Sequence, residues 1–245
     1  MSPTPRLTLL ATALVTGLAS HGAFAQDTKV TIAMSGWTGF APLTLANEAG
    51  LLKKHGVDVT IKKIPQKDRH LAIASGDVQC AATTVETWVG WNANGVAATQ
   101  IFQLAGMAYE PYLSAVRAKP EAGKIIATTL DYPMVMDTFG CTPKFLKENP
   151  KAAKALADGY FDALDMIKRD PKKSFEIMGA DVKQSGEAFE KSQAYLPWQD
   201  RAANQKFFAG EHAQFTKEAA ELLLEIGSIK AIPDLSGLAD TRFIK

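Results

Sequence analysis

Between Lys29 and Leu104 the sequence alternates β-branched runs with segments of helical periodicity, and this rhythm constrains the fold more than any other feature. Lys29–Ser35 (KVTIAMS) reads as a strand, and Ala41–His55 follows as a helix with Leu45, Ala49 and Leu52 on one face. Gly56 is placed to stop that helix. Val57–Ile64 is a second strand, Asp68–Ser75 a short helix ending at Gly76, and Val78–Ala82 a third strand. A helix opens at Thr83, and Val96–Leu104 reads as a further strand. Strands joined by single helices at this spacing need crossover connections, so the expected class is α/β with a parallel sheet flanked by helices.

Beyond Leu104 the rhythm changes. Tyr109–Lys119 reads as helix, Lys124–Thr129 as strand and Tyr132–Cys141 as an extended run. From Thr142 the chain is helical, and Thr142-Pro143, Asn149-Pro150 and Asp170-Pro171 each set a capping residue before a proline suited to the first helical position. A last long helix is expected over Asn204–Ile226, with Phe208, Phe215, Leu222 and Ile226 as a core-facing stripe.

Composition narrows the function classes. At 47% hydrophobic and 22% charged, the 245 residues suit a folded globular chain rather than a disordered one. A net charge of +1, with its lysines scattered, argues against nucleic-acid binding. Arg6, the apolar run Leu7–Leu18 and Ala23-Phe24-Ala25 have the order of a secretory signal with its cleavage site, so residues 1–25 are expected to be removed and the chain exported, to a bacterial periplasm. An oxidising compartment permits a disulfide between Cys80 and Cys141, but both lie in strand-like runs where buried free thiols are the favoured reading.

No nucleophile elbow, P-loop, zinc-protease motif or dinucleotide fingerprint is present. His55, His70 and His212 are isolated from one another and from the cysteines, so neither a metal nor a cofactor is expected. What remains are loops at the carboxyl ends of strands, where open α/β sheets bind ligands. In Ser35–Pro42, two glycines let backbone approach a ligand, while Trp37 and Phe40 wall a cleft or pack into the core. Thr83 and Thr84 follow the third strand, and Thr83-x-x-Glu86 also fits a capping box, which makes Glu86 the weaker candidate. Trp88 and Trp91 either line a cleft or pack. Tyr109-Glu110-Pro111-Tyr112 and Asp137-Thr138 complete the candidates.

At these residues the sequence resembles a known family. SGWTGFAPLTLANEAGLLKKHGVDV, then HLAIASGDVQCAATTVE, are similar to the periplasmic substrate-binding proteins of nitrate/sulfonate/taurine-type ABC importers, a group with a pyrimidine-related branch. The YEPYLS and DTFG segments and the closing helices extend the resemblance over nearly all of the chain after residue 25. It implies two α/β lobes joined by crossing strands, with a small organic ligand held between them by Trp37, Thr38, Phe40, Thr83, Thr84, Glu110 and Asp137. It further implies an inner-membrane permease as partner, a monomer, and no enzymatic activity.

One departure qualifies this. In the family, several dozen residues separate the segments matching Val96–Leu104 and Tyr109–Ser114, whereas here four do. Residues 26–104 and 137–245 then form the first lobe with its C-terminal helices, and 105–136 a remnant of the second. Such a loss would expose sheet edge and leave a cleft with one wall and part of another, so weak binding is expected. The competing readings are an enzyme of the pyrimidine-forming branch and a sensor or interaction protein recruiting a partner through an exposed edge.

Overall fold

The structure is a computed structural model, and it describes residues 27–106, 119–124, 136–193 and 196–245. The expected Tyr109–Lys119 helix and Lys124–Thr129 strand, the signal segment, Tyr109 and Glu110 lie outside these residues, wholly or nearly so.

The alternating segment folds as the rhythm requires. Strand β1 (Thr28–Met34) leads into helices α1 (Ala41–Glu48) and α2 (Leu51–Lys54), then β2 (Val57–Lys63), α3 (Gln66–Ser75), β3 (Cys80–Thr84), α4 (Val85–Ala93) and β4 (Thr99–Ala105). The expected single helix over Ala41–His55 is broken at Gly50, which adopts a left-handed conformation at φ 70°. Gly56 and Gly76 also lie in the left-handed region, at φ 79° and 81°, and end their helices as anticipated.

After β5 (Asp137–Cys141) come α5 (Pro143–Glu148), α6 (Pro150–Arg169), α7 (Pro171–Asp181), α8 (Gly186–Gln193), α9 (Arg201–Lys206) and α10 (His212–Glu225). Thr142 and Asp170 cap as expected, accepting from the amides of Phe145 and Lys173, whereas the Asn149 side chain makes no capping bond.

The five strands form one sheet in the order β2-β1-β3-β5-β4. The sheet is mixed rather than wholly parallel. β2 and β3 run parallel to β1, while β5 runs antiparallel to both neighbours, β3 and β4. This return strand is therefore paired on both sides. The outer edge of β4 is also covered: Gln100 pairs with the Ala239 segment and Ala105 with Trp198. Between them the Asn204 side chain takes the place of a strand, accepting from the Gln103 amide at 2.6 Å and donating to its carbonyl at 3.0 Å.

Register corrects the cysteine reading. Cys80 on β3 stands directly opposite Cys141 on β5, with Cα atoms 3.9 Å apart, and the two form a disulfide. Strand-like runs alone do not show that these two strands are antiparallel partners, and that pairing is what brings the sulfurs together.

The main core lies on the sheet face covered by α1, α2 and α6–α8. There Phe102 stacks between Phe139 and Tyr160, at centroid distances of 4.9 and 5.0 Å, and the Tyr160 hydroxyl donates to the Leu104 carbonyl. The opposite face carries α3 and α4, with Ile73, Trp88 and Trp91 buried against Ala33 and Ala81.

The C-terminal stripe needs correction. A π-helical turn over Phe207–Glu211 interrupts the expected helix between α9 and α10 and inserts an extra residue into its register. The buried face becomes Asn204, Phe207, His212, Thr216 and Ala219-Ala220, leaving Phe208, Phe215 and Leu222 half-buried and Ile226 exposed.

Candidate functional site

The carboxyl ends of β1, β3 and β4 meet the amino end of β5 along one edge of the sheet, and most of the candidate residues gather there. After β1 the chain passes through Trp37 into a single 3-10 turn, Thr38–Phe40. Trp37 stays 38% exposed, with its indole N–H donating to Asp137 Oδ2 at 2.6 Å. Gly39 makes this contact possible. A Cβ at that position would lie 2.2 Å from Asp137 Oδ2 and 2.5 Å from Trp37 Nε1. The Thr38 carbonyl accepts from the Trp198 indole at 3.2 Å, which ties the loop to the segment pairing with the end of β4.

At the end of β3 the capping-box expectation fails in a way that matters for chemistry. The helix begins one residue later than that box requires, with Thr84 at its N-cap, and the Thr83 hydroxyl is buried without a hydrogen-bond partner. Thr84 instead donates to Glu86 Oε1, and the Thr87 hydroxyl donates to the same oxygen at 3.2 Å. Glu86 Oε2 is left buried and unpartnered. Burial, the dominant cause, raises the Glu86 pKa, while the bonds from Thr84 and Thr87 oppose the shift.

Asp137 lies directly opposite Thr84 in the β3–β5 register. It is buried, and desolvation pushes its pKa up to about 7; Glu86 adds to the rise, while the Trp37 indole and the Arg69 guanidinium oppose it. Arg69 is fully buried beneath this edge. Its Nε donates to the Ile64 carbonyl at 2.9 Å and its Nη1 to the Ala82 carbonyl at 2.6 Å, with the guanidinium carbon 5.5 Å from the Phe40 ring centre. Its Nη2 has no partner. Desolvation lowers its pKa to about 10, against the pull of Asp137.

The structure thus brings Trp37, Thr84 and Asp137 together, with Thr38 contributing its backbone. Phe40 is corrected: its ring belongs to the main core, 2% exposed, and forms a platform for Arg69 rather than a cleft wall. Thr83 is buried on the sheet beneath the edge. Trp88 and Trp91 pack, with the Trp88 indole donating to Thr138 Oγ1 at 2.7 Å.

Two charged participants stand beside these residues: Glu86, the weaker candidate of the sequence, and Arg69, which is not among the sequence candidates. Arg69 did leave a signal: it precedes Ile73 by four residues, so the two share the buried face of α3. Among the described residues no group of three or more His, Cys, Asp or Glu could hold a metal ion.

Comparison with known proteins places this architecture. No protein-family model matches the sequence, and no curated protein matches it. Solved structures do match. The periplasmic aliphatic sulphonate binding protein SsuA from Escherichia coli aligns at TM-score 0.64 and 10% identity, over 86% of this chain and 91% of that one. The alkanesulfonate-binding SsuA from Xanthomonas axonopodis pv. citri, solved bound to MOPS, aligns at 0.63 and 10% identity, over 89% and 99%. The periplasmic nitrate-binding protein NrtA from Synechocystis PCC 6803 aligns at 0.59 and 14% identity, over 83% of each. At these identities the likeness is one of fold: a mixed α/β periplasmic-binding-protein architecture.

Proposed function

We propose that the chain is the solute-binding component of an ABC importer, taking a small organic molecule of the sulfonate, taurine, nitrate or pyrimidine-like kind at the carboxyl edge of its sheet. The observation that carries this reading is the group formed by buried Asp137, buried Arg69 and half-buried Glu86 beside the exposed Trp37 indole. Buried ionisable side chains with unused hydrogen-bonding atoms weaken a fold unless something else fills them. They lie where open α/β sheets take ligands. The fold is shared with sulfonate- and nitrate-binding proteins, which favours binding over catalysis.

Within this reading residues 1–25 direct export to the periplasm, and no helix among the described residues is long and apolar enough to cross a membrane. The protein acts as a monomer that delivers ligand to an inner-membrane permease. Residues 105–136 are the remnant of a shortened second lobe, so the ligand is desolvated mainly from one side and is held weakly. Titration calorimetry with taurine, alkanesulfonates, nitrate and aminopyrimidines tests this. The expected result is saturable binding of at least one class with micromolar or weaker affinity. Sub-micromolar binding would overturn the shortened-lobe account, and no binding by any class would overturn the receptor assignment.

A further inference from the structure

A separate cavity lies at the margin of the main core, between α6, α7 and the segment that follows α8. Its volume is about 470 Å³, within the range of small-molecule sites. The walls are mostly apolar: Leu164 from α6, Phe175 from α7, and Leu196 and Trp198 from the following segment. Both aromatic walls are held in place. The Phe175 ring packs on Phe189 at a centroid distance of 6.3 Å. Trp198 pairs through its backbone with Ala105 at the end of β4, and its indole N–H donates to the Thr38 carbonyl at 3.2 Å. Neither Trp37, Thr84, Glu86 nor Asp137 lines this cavity, so it is distinct from the carboxyl edge. The Trp198–Thr38 bond is a direct link between the two.

Two charged side chains border the cavity, and they are not equally available. Asp200 is the cap of α9, its Oδ1 accepting from the Ala203 amide at 3.0 Å. Lys168 meets Asp165 at 3.6 Å with both side chains about two-thirds exposed, a solvated pair that holds the ammonium only weakly. An anionic head group therefore has a partner at the mouth, whereas a cationic one finds a carboxylate already engaged. Two aromatic walls favour a ring over an aliphatic chain, because stacking adds to the burial. We propose that this cavity is a second ligand site, taking a compact aromatic carboxylate whose ring packs on Phe175 and Trp198 and whose carboxylate pairs with Lys168. The site is independent of the proposed receptor role. Its occupancy reaches Thr38 through the Trp198 indole.

Four probes added to the purified chain test this: 3-phenylpropionate, its amide, 3-phenylpropylamine and hexanoate. Affinity is read by calorimetry and position by the indole N–H signals in NMR. 3-Phenylpropionate is expected to bind saturably and to move the Trp198 signal. Its affinity should exceed that of each other probe by about threefold or more, the size of one exposed ion pair or one aromatic contact. Lys168→Gln, a change at an exposed side chain, should abolish the preference for the carboxylate over the amide. Absence of saturable binding by 3-phenylpropionate overturns the proposal, as does binding that leaves the Trp198 signal unmoved. The amine or the amide binding as tightly as the carboxylate also overturns it, and so does a carboxylate preference that survives in Lys168→Gln.

Discussion

Asp137 is the residue whose burial ties the stability of the fold most clearly to pH. Its carboxyl ordinarily titrates at 3.8 and here does so near 7. Between those values the unfolded chain is ionised and the folded chain is not. The stability this group contributes is therefore fully present below pH 4, declines as pH rises, and is lost above 7. The interval corresponds to about 4 kcal/mol. Asp137→Asn removes the titration while its amide oxygen still accepts from Trp37. The variant should melt about 5 °C or more above the parent at pH 8, with the gain disappearing near pH 4 in paired thermal denaturation. His212, buried and lowered to about 4, contributes the opposite slope but does so equally in both proteins. Gly39 is the second sensitive residue. Gly39→Ala drives a methyl into the Trp37–Asp137 contact and should destabilise by about 1–3 kcal/mol, with a shift in tryptophan emission.

At the scale of elements, a disulfide reinforces the β3–β5 ladder and an asparagine side chain closes the outer edge of β4. The Cys80–Cys141 disulfide joins β3 to β5 across 61 residues of sequence. A loop of that length predicts that Cys80→Ala/Cys141→Ala lowers the unfolding free energy by about 4 kcal/mol, read from urea titration. Asn204 secures the outer edge of β4 through the Gln103 backbone. Asn204→Leu leaves both backbone groups buried and unpaired, and should cost about 2–4 kcal/mol by the same measurement.

Which elements were legible in the sequence follows from how local their causes are. Glycine stops at Gly56 and Gly76 and caps at Thr142 and Asp170 depend on neighbours a few residues away, and they fall where expected. The antiparallel insertion of β5 depends on which strands meet, so neither it nor the disulfide could be read locally. The π-turn at Phe207–Glu211 shifts the helical phase without any proline or glycine at its start, and the expected aromatic stripe was displaced for that reason. At the site, Trp37 and Asp137 were legible as loop and strand-end residues. Glu86 is the weaker candidate in the sequence because of a capping pattern that the actual helix start at Val85 does not use.

For the whole molecule, the α/β class and its helical C-terminal region follow from the alternating segment and the proline-punctuated helices, and the solved structures it resembles share that architecture. In the proposed receptor role the carboxyl edge of this sheet is the ligand wall, with the Trp37 indole at its exposed rim. Trp37, Trp88, Trp91 and Trp198 give the chain four indole N–H reporters, and only Trp37 donates to Asp137. The most direct test follows their amide-region NMR signals as taurine and 2-aminopyrimidine are added in turn. A saturable displacement of the Trp37 signal, with Trp91 unmoved, is the predicted result. Saturable binding in calorimetry that leaves the Trp37 signal in place would contradict the account.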